Sequence, residues 1–180
     1  MFRILPHVLW VVLLSCPLFA GGSLANRRAP GFSLPDTTGK QHDPQDYRGK
    51  VILLDFMQTG CPSCKALTAT LEQLKAKFGS QIQVLSVVVP PDTLDTVQRY
   101  IKEQGVSSPV LFDCGQMTAS YLRITPQNPK VHFPHLFLID SEGFIRNDYG
   151  HSDLQGAAVN ARTLAAEIER ILAGGTTKKR

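Results

Sequence analysis

The sequence predicts an α/β protein in which helices cover both faces of a mixed β-sheet, as a three-layer α/β/α sandwich. Two near-continuous apolar runs, residues 51–57 and 82–89, are typical of strands buried on both faces. Patterns with helical period alternate with these runs, and residues 140–143 give a hairpin turn signal between two later strands. This order of elements predicts mainly parallel strands with an antiparallel hairpin at one side.

The three main helices are predicted from apolar side chains at helical spacing. The first ends at Gly79, and the second begins at Asp92 or Thr93 and ends before Gly105. The apolar positions in chain order are Leu67, Leu71, Leu74 and Phe78; Leu94, Val97 and Ile101; and Leu164, Ile168, Ile171 and Leu172.

The remaining elements are short. A lead-in and a turn at residues 36–40 precede the first buried strand. Further strands are predicted at residues 110–112, 136–139 and 144–149, with a short helix at residues 116–122.

The length of 180 residues and the net charge of +4 fit a leader, one compact domain at residues 26–174 and a flexible basic tail at residues 175–180. No basic stripe with interleaved aromatic residues occurs, which argues against a nucleic-acid partner.

Residues 1–25 have the layout of a secretory signal, with Arg3, an apolar stretch and then small residues. Residues 23–25 offer a cleavage site before Asn26. A lipidated Cys16 and an uncleaved membrane anchor are the alternatives. Each of the three places the domain outside the cytoplasm, in the periplasm or on the outer face of the cytoplasmic membrane.

Cys61 and Cys64 give the strongest functional signal. They follow the first buried strand directly and open the first helix, an arrangement typical of a redox-active dithiol. The helix N-terminus favours a thiolate at Cys61, and Pro62 suits the first helical position. We therefore predict a redox-active Cys61–Cys64 disulfide and no other cofactor.

A structural zinc site is the main alternative for a Cys-x-x-Cys sequence. Such a site requires a second pair of ligands, and neither Cys16 nor Cys114 has a neighbouring cysteine. Cys114 follows a predicted strand and is expected to be a quiet buried thiol. Pairing of Cys114 with a partner or a second chain is the alternative.

Over about residues 29–173 the chain resembles the thioredoxin superfamily, and more closely its exported TlpA/ResA/DsbE branch. The resemblance rests on the Cys61/Cys64 turn, on Pro134 before the later apolar strand, and on an opening at residues 29–51 similar to the N-terminal extension of that branch. It implies a thioredoxin-like fold and thiol–disulfide oxidoreductase activity.

The resemblance also implies a central αβ insertion at residues 92–122 and a division of labour in the dithiol. Cys61 exchanges with the substrate disulfide, and Cys64 resolves the mixed disulfide. Asp55 interrupts an apolar strand, where burial is predicted to raise the pKa of its carboxyl, so that it can accept the Cys64 proton. A solvent-facing Asp55, or one paired with Lys50, is the alternative.

Pro134 matches the cis-proline that packs against the dithiol in this superfamily, although periodicity alone favours a trans-proline at a strand start. The backbone before this proline pairs with the substrate peptide in the family. Gly60 stands where the family usually has Trp, and Phe133 where Thr or Val is more common. We predict that these residues and Pro62 form the substrate-binding groove.

His132 and His135 flank this proline and suggest one alternative function. Cys61, Cys64 and His132 resemble the copper ligands of exported Sco-type delivery proteins, although the Sco-type cysteines have three intervening residues. A peroxiredoxin interpretation is weaker, because Gln58 stands where that family has Thr.

We therefore predict an exported reductase of protein disulfides. Its expected partners are disulfide-containing proteins, such as the haem-binding cysteine pairs of cytochrome c biogenesis or a copper-site protein. A reductase in an oxidising compartment needs a membrane electron donor, and the N-terminus offers a possible membrane attachment.

Overall fold

The computed structural model describes residues 24–176, so most of the predicted leader, including Cys16, and residues 177–180 of the predicted tail lie outside it. Strands β1 to β8 are Arg27–Arg28, Leu34–Pro35, Gln41–His42, Val51–Met57, Ile82–Val88, Val110–Phe112, His135–Ile139 and Phe144–Tyr149. Helices α1 to α5 are Pro62–Phe78, Leu94–Gln104, Gln116–Leu122, His151–Gln155 and Ala161–Thr176, and 3-10 turns span Pro44–Tyr47 and Gly79–Gln81.

The main sheet has six strands in the order β1-β8-β7-β4-β5-β6. Strands β4, β5 and β6 are parallel, while β7 pairs antiparallel with β4 and β8 antiparallel with β7. Strands β2 and β3 form a separate hairpin in the N-terminal extension. The predicted α/β architecture with a mixed sheet is confirmed.

Strand β4 is buried on both faces because helices cover the sheet from both sides. Val51 and Leu53 belong to the core beneath α1 and α5, and Ile52 and Leu54 to the core that contains residues of α3 and the N-terminal extension. Successive side chains of a strand point to opposite faces. Asp55 therefore lies on the same face as Leu53, beneath α1.

Helix α2 packs beside α1, but the predicted apolar stripe is only partly right. Thr93 caps the helix, and Val97 and Tyr100 are buried against Met57 and Cys64. Leu94, expected in the stripe, is 47% exposed, because the contact with α1 begins one turn later.

The N-terminal residues of the described range contact the domain. The Leu24 amide donates to Asp148 Oδ1 at 2.9 Å, and Leu24 and Ala25 pack on the core on the α3 side. Between residues 24 and 176, no helix combines the length and the apolar character needed to cross a bilayer.

Candidate active site

Cys61 and Cys64 form a disulfide at the start of α1, with their Cα atoms 5.2 Å apart. Cys61 is the N-cap residue of the helix, and its Sγ accepts a hydrogen bond from the Cys64 amide at 3.2 Å. Pro62 occupies the first helical turn, where its missing N–H leaves no partner unpaired. The sequence prediction placed all three residues correctly.

The two sulfur-bearing residues differ in exposure. Cys61 is half-buried and Cys64 is fully buried, because Cys64 lies under α2 against Met57 and Val97. The neighbouring Gly60 is exposed, and a Cβ atom added there would meet nothing within 4 Å. Cys61 is therefore the sulfur that a second protein can approach. Gly60 has no side chain where the family usually has Trp, so the surface of Cys61 next to Gly60 is open.

The loop before β7 lies against the dithiol. The Phe133–Pro134 peptide bond is cis, as the resemblance implied, and Pro134 is buried. The Phe133 carbonyl oxygen lies 3.8 Å from Cys61 Sγ, and the Phe133 side chain packs against the cluster that contains Cys64. The structure thus brings together four of the predicted groove and dithiol residues.

Asp55 lies in the interior beneath α1. Its side chain is fully buried, and burial raises the pKa of its carboxyl to about 8. Within residues 24–176, neither carboxylate oxygen has a hydrogen-bond partner. The alternative of a solvent-facing or Lys50-paired carboxylate is therefore wrong, and burial favours the protonated form of Asp55.

Two buried hydroxyl groups close the site behind Cys64, and sequence reasoning missed both. Thr68 Oγ1 and Tyr100 Oη are hydrogen-bonded at 2.6 Å and join α1 to α2. Burial raises the pKa of Tyr100, the Thr68 hydrogen bond lowers it, and Asp55 raises it further when its carboxyl is ionised. Thr68 is four residues after Cys64, which was the only local signal of its position.

The loop between β4 and the dithiol is fixed by the start of the insertion. The Thr59 amide donates to Asp92 Oδ2 at 3.0 Å, and the Thr59 hydroxyl donates to Asp92 Oδ1. The Thr96 hydroxyl also donates to this carboxylate, at 3.1 Å. Asp92 was predicted only as a possible helix cap, and its contact with Thr59 joins the insertion to the active-site loop.

The histidines do not lie where the alternative copper site would need them. His132 is exposed, with its ring 6.2 Å from that of His151, and His135 Nε2 pairs with Asp148 Oδ2 at 3.2 Å. Residues 24–176 contain no group of three or more His, Cys, Asp or Glu side chains that could hold a metal ion. The Sco-like site of Cys61, Cys64 and His132 is therefore not supported.

Cys114 is exposed, and the expectation of a buried thiol is wrong. Asp113 turns inward instead. Its carboxylate accepts hydrogen bonds from the amides of Met117 and Thr118 at 3.2 and 2.8 Å, and this contact holds the start of α3. The side chain of the next residue, Cys114, consequently faces solvent.

A disulfide at a helix start, beside a cis-proline loop on a mixed sheet, defines the thioredoxin-like class of protein. The model of the AhpC/TSA family matches residues 25–148, and the chain belongs to this family.

Its relatives include thiol-disulfide oxidoreductases. The chain is 31% identical to thiol-disulfide oxidoreductase ResA of Bacillus subtilis over 116 residues, which cover 64% of this chain and 61% of ResA. It is 30% identical over 130 residues to ResA of Halalkalibacterium halodurans, covering 71% of this chain and 70% of that protein. The chain thus spans less than two thirds of the length of the Bacillus subtilis relative.

The fold is shared with a thiol:disulfide interchange protein of the thioredoxin family from Chlorobium tepidum. The two superpose with a TM-score of 0.68 at 20% identity, over 81% of this chain and 96% of that protein. The predicted thioredoxin-like fold is therefore confirmed.

Proposed function

We propose that this protein is an exported thiol–disulfide oxidoreductase that reduces disulfide bonds of other proteins. The observation that carries the proposal is the unequal exposure of the two cysteines at the start of α1. The half-buried Cys61 is open to a partner, whereas Cys64 is enclosed behind it. The names of the ResA relatives support the same reaction class.

In the proposed reaction, the Cys61 thiolate attacks one sulfur of a substrate disulfide. A mixed disulfide forms, and the released substrate thiolate takes a proton. Cys64 then gives its proton to Asp55, whose ionised form is the acceptor, and attacks the Cys61 sulfur. The second substrate thiolate leaves, and two electrons have passed from the Cys61–Cys64 dithiol to the substrate.

The Asp55 carboxyl suits this proton transfer because its pKa of about 8 is close to the range in which thiols ionise. The substrate peptide is proposed to lie along Phe133 and Pro134 and over Gly60 and Pro62, pairing by strand addition. The surface at Gly60 is open, so a protein substrate as well as a small thiol can reach Cys61.

Export and electron supply complete the proposal. Residues 1–25 carry the secretory pattern, and an oxidising compartment reoxidises any reductase that lacks a source of electrons. We propose a membrane protein as electron donor and haem-binding cysteine pairs or a copper-site protein as substrates. Fusing residues 1–25 to alkaline phosphatase tests export, since that enzyme gains its disulfides and activity only outside the cytoplasm.

The test of the reaction is insulin reduction driven by dithiothreitol. We expect Cys61→Ser and Cys64→Ser each to abolish the catalysed rate, and Cys64→Ser to accumulate mixed disulfides that Cys61→Ser does not form. Cys114→Ser is the matched control, because it removes an exposed cysteine outside the dithiol. Full activity of Cys61→Ser would refute the proposal.

The direction of electron flow is tested by equilibrating the dithiol with glutathione buffers. A reductase should have a potential near that of thioredoxin, about −270 mV, rather than near that of the oxidant DsbA, about −120 mV. A potential close to the DsbA value would reverse the proposed direction while leaving the reaction class intact.

A further inference from the structure

His151 contacts the loop that lies against the dithiol. It is the first residue of α4, eighteen positions after Phe133 in sequence, and its Nδ1 lies 2.5 Å from the Phe133 carbonyl oxygen. A carbonyl oxygen only accepts hydrogen bonds, so Nδ1 carries the proton and donates. The same oxygen lies 3.8 Å from Cys61 Sγ. One carbonyl group therefore lies between an imidazole and the Cys61 sulfur.

We propose that His151 is a positioning residue of the dithiol, which acts through the Phe133 carbonyl to keep Cys61 reactive. The inference rests on the proposed function, because it concerns the same sulfur. Two physical effects act in the same direction, and both depend on the electron density of the carbonyl oxygen.

The first effect concerns the protonated thiol. The Cys61 sulfur of the disulfide lies 3.8 Å from the carbonyl oxygen, which is within reach of an S–H···O hydrogen bond once the disulfide is reduced, and a hydrogen bond to the neutral form of an acid disfavours ionisation. By donating to that oxygen, His151 makes it a poorer acceptor for the thiol. The thiol then loses its proton more readily.

The second effect concerns the thiolate. A carbonyl oxygen carries partial negative charge and repels a neighbouring thiolate, and a hydrogen bond from His151 offsets part of that charge. Removal of His151 should therefore raise the pKa of Cys61 and lower the fraction of thiolate, which is the nucleophile.

Contacts of Gly150 fix the start of α4, where His151 lies. The Gly150 amide donates to Asp153 Oδ2 at 2.9 Å, and His135 lies beside Gly150. His151 also lines an open cavity of about 380 Å³ together with Lys130, His132 and His135. The half-buried imidazole thus borders open space as well as the Phe133 carbonyl.

The experiment compares three replacements of His151 in the full chain. His151→Leu removes the donor. His151→Asn keeps an N–H close to the place of Nδ1, whereas the longer side chain in His151→Gln displaces it. The second-order rate constant of Cys61 with iodoacetamide is measured across pH on the reduced protein, and tandem mass spectrometry assigns the label.

We expect His151→Leu and His151→Gln to lower the alkylation rate of Cys61 at pH 7 by about three- to tenfold, as for a pKa raised by about half a unit to one unit. His151→Asn should recover most of the rate. His132→Leu is the control, since it removes the neighbouring exposed imidazole, and it should keep the wild-type profile.

Unchanged alkylation profiles in His151→Gln and His151→Leu would overturn the inference, even if the KM for insulin rose, because that pattern reports only a groove contact. If His151→Leu does not fold, the comparison of His151→Asn with His151→Gln decides alone. Alkylation uses no disulfide substrate. If the wild type fails to reduce insulin but the His151 variants still show these changes in alkylation rate, the proposed function is refuted and the role of His151 stands.

Discussion

Replacing Asp55 with Asn should change how the stability of the protein depends on pH. The folded protein holds this carboxyl at a pKa of about 8, because it is fully buried, whereas the unfolded chain releases the proton near the ordinary value of 3.8. Between these values the folded state binds more protons than the unfolded state, so stability falls as pH rises. At 1.36 kcal/mol per unit, the wild type loses roughly 4 kcal/mol between pH 4 and pH 7 through this group.

The Asn side chain cannot ionise, so this loss should be absent from Asp55→Asn. Urea unfolding of the oxidised protein at pH 5, 6, 7 and 8, followed by circular dichroism, gives the free energy of unfolding at each pH. We expect the wild-type slope to exceed that of Asp55→Asn by about 1.4 kcal/mol per pH unit between pH 5 and pH 7, and by less towards pH 8, where the folded-state carboxyl itself ionises. Glu103→Gln, which removes an exposed carboxyl on α2, should keep the wild-type slope.

If the free energy of unfolding varies with pH in the same way for the wild type and Asp55→Asn, the argument that burial raises the pKa of Asp55 is refuted. The same variant should reduce insulin more slowly, most of all near neutral pH, because it cannot accept the Cys64 proton. A variant that is more stable at pH 7 and slower in catalysis would show both effects. Equal rates from pH 6 to pH 9 would leave Asp55 with a structural role alone.

Three further predictions concern the dithiol and its support. Limiting iodoacetamide at neutral pH should label Cys61 before Cys64 in the reduced protein, as mapped by mass spectrometry, and the reverse order would contradict the assigned roles. Leu71→Ala should lower the free energy of unfolding in urea by about 2–5 kcal/mol, because Leu71 is buried between α1 and the sheet. Thr59→Val should lower it by about 1–3 kcal/mol by leaving Asp92 with fewer donors, and an unchanged value would remove the support assigned to that contact.

The sheet and the dithiol could be predicted because their signals are local. A buried strand followed directly by Cys61, Pro62 and Cys64 is read from a dozen consecutive residues, and periodicity located the other main elements. The groups that support the dithiol could not be found in this way. Thr68 meets Tyr100 across 32 positions, and each residue alone resembles an ordinary helix residue.

The errors have a similar physical origin. The exposed Leu94 and Cys114 were assigned to the interior from their residue type, but the surrounding packing determines which side chain turns inward. His132 is close to Pro134 in sequence, yet its side chain faces solvent. Closeness along a loop did not predict the direction of a side chain.

The contact of Leu24 with Asp148 bears on the predicted cleavage between Ala25 and Asn26. That cleavage would remove Leu24, whose amide donates to Asp148 and whose side chain lines the cavity beside His151. Asp148 would then keep its ion pair with His135 but lose the hydrogen bond from the Leu24 amide. The cavity would lose the apolar side chain of Leu24 from its lining. A chain cleaved at the predicted site would therefore differ from the uncleaved chain in the cavity that His151 lines.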